Sequence, residues 1–192
     1  MPRLLALTGS PSAVSRTALV ADLILDRFAD AGYETRHLAV RDLPAADLLA
    51  ARTGQPEIRE ALAAVAAADG IIVATPVYKA AYTGLLKSFL DLLPQTGLAG
   101  KTVLPLATGG SLAHVLALDY ALRPVLTALG ARHVTSGRFL LDSTVSRGPS
   151  GALLEPAAAV QLDQAVTEFA ATLPPVGRPA GSAAARVLSS AP

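Results

Sequence analysis

"GIIVATPVYKAAYTGLLKSFLDLLP", Gly70–Pro94, contains a complete strand, loop and helix. Gly70–Thr75 is apolar and β-branched on both faces, the pattern of a strand buried between two layers. The run stops at Pro76. Val77, Tyr78 and Lys79 follow, and Gly84–Leu93 then carries helical apolar spacing up to Pro94. A doubly buried strand that feeds a helix through such a loop predicts a parallel sheet covered on both sides.

The same alternation extends in both directions. Arg3–Gly9 reads as a first buried strand, and Leu19–Ala31 as a helix with Gly32 as its stop. Glu34–Val40 alternates less cleanly and suits a strand nearer an edge. Pro56–Ala68 opens a helix with proline and acidic residues in its first turn. Lys101–Gly110 is the next strand, Leu112–Leu129 the next helix, His133–Leu141 the last strand and Pro156–Leu173 the last helix. The pattern predicts an α/β, flavodoxin-like three-layer sandwich with a five-stranded parallel sheet in the order 2-1-3-4-5. One domain is expected over residues 1–173. The stretch 174–192, rich in Pro, Ala, Gly and Ser, reads as a flexible tail.

Composition narrows the chemistry. The 192 residues carry a net charge of +1 with no basic face or tail, so nucleic acid is not an expected partner. There are no cysteines, which removes disulfides, thiol redox chemistry and iron–sulfur ligation. A redox role would therefore need a borrowed cofactor. The start reads as a strand rather than a leader, and no apolar run is long enough to span a bilayer. A cytoplasmic protein is expected. No histidine spacing suggests a metal site.

In open α/β sheets ligands bind beyond the carboxyl ends of the strands, where the strand order reverses. Three loops should meet there. Gly9–Thr17, "GSPSAVSRT", offers hydroxyls at Ser10, Ser12, Ser15 and Thr17, one cation at Arg16, and a helix N-terminus. That set suits a phosphate monoester, and equally suits ordinary helix capping. It is neither a Walker A loop nor a dinucleotide fingerprint. The second loop brings Pro76, Val77, Tyr78 and Lys79, whose backbone can lie beside a planar ring; the amides of Val77 and Tyr78 can meet the ring's polar edge. Tyr82 could line the same side, and a plain turn with surface tyrosines fits as well. The third, Ala107–His114, supplies Thr108, Gly109, Gly110 and Ser111, the glycines admitting close backbone approach. His114 suits a structural histidine as well as a ligand contact. A phosphate cradle joined to two ring-facing loops fits FMN, the simplest phosphorylated planar cofactor.

Beyond these loops, Ala74–Pro94 and "LAGKTVLPLATGGSLAHVLALDYALRPVLTALGA" closely resemble the NAD(P)H-dependent FMN reductases of alkanesulfonate utilisation. The resemblance runs from the first strand to about Phe139 and is densest over Ile71–Ala131. It implies reduction of FMN by NADPH or NADH and delivery of the reduced flavin to a sulfonate monooxygenase. It further implies that Ser10, Ser15, Arg16 and Thr17 hold the FMN phosphate, that Pro76–Lys79 flank the isoalloxazine, and that Thr108–Ser111 meet its other edge. Tyr120 would lie on a helix with a π-type bulge at a tetramer interface. No catalytic side chain is implied. The first loop of the broader family often carries arginine where this chain has Ser12, which leaves Arg16 as the only cation within the loop. An FMN-retaining quinone or azo reductase, an electron-transfer flavodoxin and a binding module without turnover are the competing readings.

Overall fold

A computed structural model describes residues 1–149 and 151–176. Of the expected tail, only 174–176 fall within it; residues 177–192 lie outside the described residues. The parallel strands are β1 (Arg3–Thr8), β2 (Glu34–Ala39), β3 (Gly70–Pro76), β4 (Thr102–Gly109), β5 (His133–Val134) and β6 (Arg138–Leu141). The sheet runs β2-β1-β3-β4-β5, with β6 also paired to β4. This is the flavodoxin-like order expected from the sequence.

The helices are α1 (Arg16–Asp30), α2 (Ala45–Leu49), α3 (Pro56–Ala67), α4 (Gly84–Leu90), α5 (Arg123–Ala128) and α6 (Pro156–Ala170). Alternate residues of each strand feed opposite layers, as the pleat requires. Leu5, Leu7, Ile71, Val73 and Val103 pack with Ile58, Val65, Phe89 and Leu126 from α3, α4 and α5. On the other face Leu4, Ala6, Ile72 and Leu104 pack with Ile24 and Phe28 of α1 and with Leu162 and Phe169 of α6. Each large side chain fully buried this way contributes about 2 kcal/mol. The rigid frame that aims the loops rests on these two layers.

Several local features differ from expectation. The last strand is broken in two. Pro105 shares Val103's side of the β4 ladder and has no N–H to give, whereas Val103 O accepts from Thr135 N at 2.9 Å. β5 therefore pairs with Thr102 and Val103, and β6 resumes at Leu106. The single helix expected over 112–129 is a 3₁₀ turn (Leu112–His114), a π segment (Leu118–Leu122) and α5. Helix α2 and an antiparallel hairpin, β7 (Val145–Gly148) with β8 (Gly151–Leu154), are additions. Finally, α6 ends at Ala170, before the expected Leu173. Among the described residues no helix is long and apolar enough to cross a membrane.

Candidate functional site

The carboxyl ends of β1, β3 and β4 each release one of the three loops, and side-chain and backbone bonds tie those loops to one another. Thr17 Oγ1 lies 2.7 Å from Thr108 Oγ1, joining the first loop to the third. Thr83 Oγ1 donates to Gly9 O at 2.6 Å, joining the second to the first. Val77 N donates to Thr108 O at 2.8 Å, joining the second to the third. All three bonding threonines are buried. A hydroxyl can link two loops under burial without the desolvation cost of a charge.

Within the first loop, Ser10 Oγ accepts from Ser12 N at 3.3 Å, and Ser12 Oγ accepts from Val14 N at 3.2 Å. Ser15 Oγ accepts from Ala18 N at 3.1 Å and caps α1. The capping reading is therefore realised. It remains compatible with anion binding, because a hydroxyl oxygen that accepts keeps its own hydrogen to donate. The hydroxyl donors and the start of the 15-residue α1 fit a phosphate monoester. Gly9 is held by packing: a Cβ there would come within 2.5 Å of Leu86 Cβ. Arg16 donates Nε to Val145 O at 3.1 Å, so part of its guanidinium is engaged with β7.

The second loop is a tight turn. Tyr78 N donates to Ala81 O at 2.9 Å and Ala81 N to Tyr78 O at 3.2 Å. Between them Lys79 and Ala80 sit at φ 51° and 65°. Consecutive left-handed residues define a type I′ turn, usually built from Asn and Gly. With Lys and Ala in those places, each position costs on the order of 1 kcal/mol. Strain of this kind persists only where the surroundings over-determine the backbone. One expectation is corrected here: the amides of Val77 and Tyr78, foreseen as ring contacts, are engaged inside the protein. Pro76 closes β3 opposite Thr108, while Tyr78 and Lys79 are exposed.

In the third loop the Thr108 hydroxyl is engaged with Thr17. A Cβ on Gly109 would come within 2.9 Å of Phe139 Cζ, whereas one on Gly110 would meet nothing within 4 Å. Gly109 therefore serves packing, and Gly110 faces open space. Ser111 Oγ accepts from Ala113 N at 3.2 Å and opens the 3₁₀ turn. His114, half-buried, ends that turn. Among the described residues no group of three or more His, Cys, Asp or Glu could hold a metal ion.

Two arginines beside the first loop were not singled out from the sequence. Arg41, just beyond β2, donates Nη1 to Ser12 O. Arg147 of β7 lines the same groove as Ser15. The strand order itself was the available signal for Arg41, since β2 ends beside the loop that follows β1. The two amines with shifted titration lie apart from the three loops. The bonded Asp91 carboxylate holds Lys87 above the usual lysine value, and burial holds Lys101 below it, opposed by Asp69.

Comparison with known proteins agrees with this geometry. A family model described as NADPH-dependent FMN reductase matches residues 2–145. The chain belongs to the NADPH-dependent FMN reductase family. It is an oxidoreductase that works with FMN and a reduced nicotinamide nucleotide. An FMN reductase (NADPH) of Pseudomonas putida is 51% identical over 138 residues, covering 72% of this chain and 70% of that protein. Another from Escherichia coli is 43% identical over 167 residues, 87% of each. The crystal structure of an NADH:FMN oxidoreductase (EMOB) in its apo form superposes with a TM-score of 0.84 at 47% identity, covering 91% of each chain.

Proposed function

We infer that this FMN reductase supplies flavin to a second enzyme: it reduces FMN with NAD(P)H and hands the reduced flavin to a sulfonate monooxygenase. The observation that carries the site is the mutual bonding of the three loops through Thr17, Thr83, Val77 and Thr108. The sulfonate partner is supported by the resemblance over residues 74–131.

When bound, FMN supplies the ring that accepts hydride from the nicotinamide. The chain's own groups bind and orient. Ser10, Ser12 and Ser15 offer O–H donors to the phosphate, with Arg16 and the start of α1 adding positive potential. The type I′ turn at Tyr78–Ala81 and the backbone at Gly109–Ser111 would form the two walls of a slot. Because those walls are held by internal bonds, the slot is ordered before any ligand arrives, which lowers the entropic cost of alignment. Hydride delivery requires no side-chain acid or base at these positions.

Leu112, Val115, Leu116 and Tyr120 are exposed along the 3₁₀ turn and the π segment, with Tyr120 79% accessible. Such an apolar strip fits a face between copies of this chain in a tetramer. NAD(P)H oxidation by flavin-stripped protein, followed while free FMN is titrated, tests the assignment; light scattering on the same sample gives the assembly mass. The expected result is a rate that rises and saturates with FMN, from a tetramer that purifies nearly colourless. A persistently yellow protein whose rate ignores added FMN would instead be a flavin-retaining quinone or azo reductase.

A further inference from the structure

Beside the first loop, on the side of edge strand β2, lies a polar groove of about 250 Å³. Ser15, Asp22, His37, Arg41, Asp42 and Arg147 line it. Both acids have partners. Asp42 accepts from Arg41 Nε at 3.2 Å, and Asp22 Oδ1 pairs with His37 Nδ1 at 2.7 Å. His37 Nε2 in turn lies 2.8 Å from the Thr8 hydroxyl, which fixes the ring between α1 and β1.

The two arginines are placed differently. Arg41 is anchored at Nε by Asp42 and at Nη1 by the carbonyl of Ser12. Among the described residues its Nη2 has no hydrogen-bond partner, so a pre-oriented N–H edge is left beside the start of α1. Arg147 is exposed and makes no ion pair among the described residues. Most surface arginines are long and mobile, and their ion pairs contribute little. Arg41 departs from that, because its tie to the loop backbone fixes it before any ligand binds. Two guanidiniums with a serine hydroxyl and a helix start form a donor set suited to a phosphate monoester.

We propose that Arg41 and Arg147 form a phosphate-monoester site on the outer wall of the first loop. The proposal rests on the FMN reductase reading, which supplies two such groups: the 5′-phosphate of FMN and the 2′-phosphate of NADPH. FMN's phosphate would sit at the adjoining serines. The groove lies two strands from β3, roughly 10 Å at about 4.8 Å per strand, a span within the length of an extended dinucleotide.

The test uses the full chain and the single variants Arg147→Gln and Arg41→Gln, with thermal melts to confirm folding. Arg147→Gln is the cleaner of the two, because it leaves the tie between Arg41 and Ser12 in place. Binding of FMN, riboflavin, adenosine 2′-phosphate and adenosine is measured by calorimetry, and kcat/KM is measured for NADPH and NADH. A loss of about tenfold for FMN with riboflavin unchanged assigns the site to the flavin phosphate. A similar loss for adenosine 2′-phosphate and NADPH, with adenosine and NADH unchanged, assigns it to the nucleotide. No change, or equal losses for ligands with and without phosphate, overturns the proposal. If the wild-type chain fails to oxidise NAD(P)H, the functional reading falls while the binding measurements still decide the groove.

Discussion

The two ends of the sheet share one pair of cores and differ in their polar chemistry. At the carboxyl ends Thr8, Thr17, Thr75, Thr83 and Thr108 are all buried, and four of them bond within or between the three ligand loops. At the amino ends, Arg3 pairs with Glu34 while both side chains are more than half exposed, and Lys101 donates to the carbonyls of Ala66 and Ala68. Exposed pairs of the first kind are worth about 0–1 kcal/mol. Buried hydroxyl bonds cost more to break, since each leaves a desolvated partner behind. The carboxyl end thus concentrates the buried hydroxyl ties that join the ligand loops, whereas the buried Thr102 at the amino end donates only to Thr172 O and joins none of them. Left-handed Lys79 and Ala80 also lie at the carboxyl end.

The sharpest way to break this contrast is Thr83→Val. The hydroxyl donates to Gly9 O and accepts from Leu86 N, so valine leaves two buried groups unpaired. Stability should fall by about 2 kcal/mol in urea melts, with weaker FMN binding. Thr83→Ser should recover most of both. A loss no larger than that of an exposed pair would remove the distinction between the ends.

A smaller effect of opposite sign is expected at Ala80→Gly. Glycine relieves the left-handed strain, so the melting temperature should rise, by about 0.5–1 kcal/mol in stability. FMN affinity should fall several-fold as the turn loosens. A rise in both would show that the strain has no part in ordering the slot.

The smallest effect belongs to the amino end. Burial lowers the pKa of Lys101, and its unfolded value is 10.5. The unfolded chain holds that proton over a window just below 10.5 where the folded chain has released it. Stability should therefore rise slightly with pH in this window, and Lys101→Met should abolish the rise. FMN binding should not change. An altered FMN affinity in that variant would connect the two ends of the sheet.

The frame was legible in the sequence because doubly buried strands such as Ile71–Thr75 and helix stripes such as 162, 165 and 169 carry strong periodicity. The hairpin β7–β8 escaped because runs of four residues show little period, although Gly148-Pro149-Ser150-Gly151 was a turn signal. The break in the last strand follows from Pro105 on a neighbouring strand, which a reading of His133–Leu141 alone cannot reveal. At the site, the loops were visible as chemistry while their mutual bonds were not. Thr83 carried no signal of its own in the sequence, and only the close approach of Gly9 to Leu86 shows why its hydroxyl meets the first loop. Arg41 and Arg147 reach that region from elements distant in sequence.

Amide hydrogen exchange with and without FMN tests the central claim most directly. The account predicts added protection confined to three segments, about 10–17, 77–83 and 109–114, with the amino ends of the strands unchanged. Protection centred on the trough formed by Leu62, Val65 and Leu93, or on the groove beside Arg3 and Glu60, would place the flavin elsewhere and contradict it.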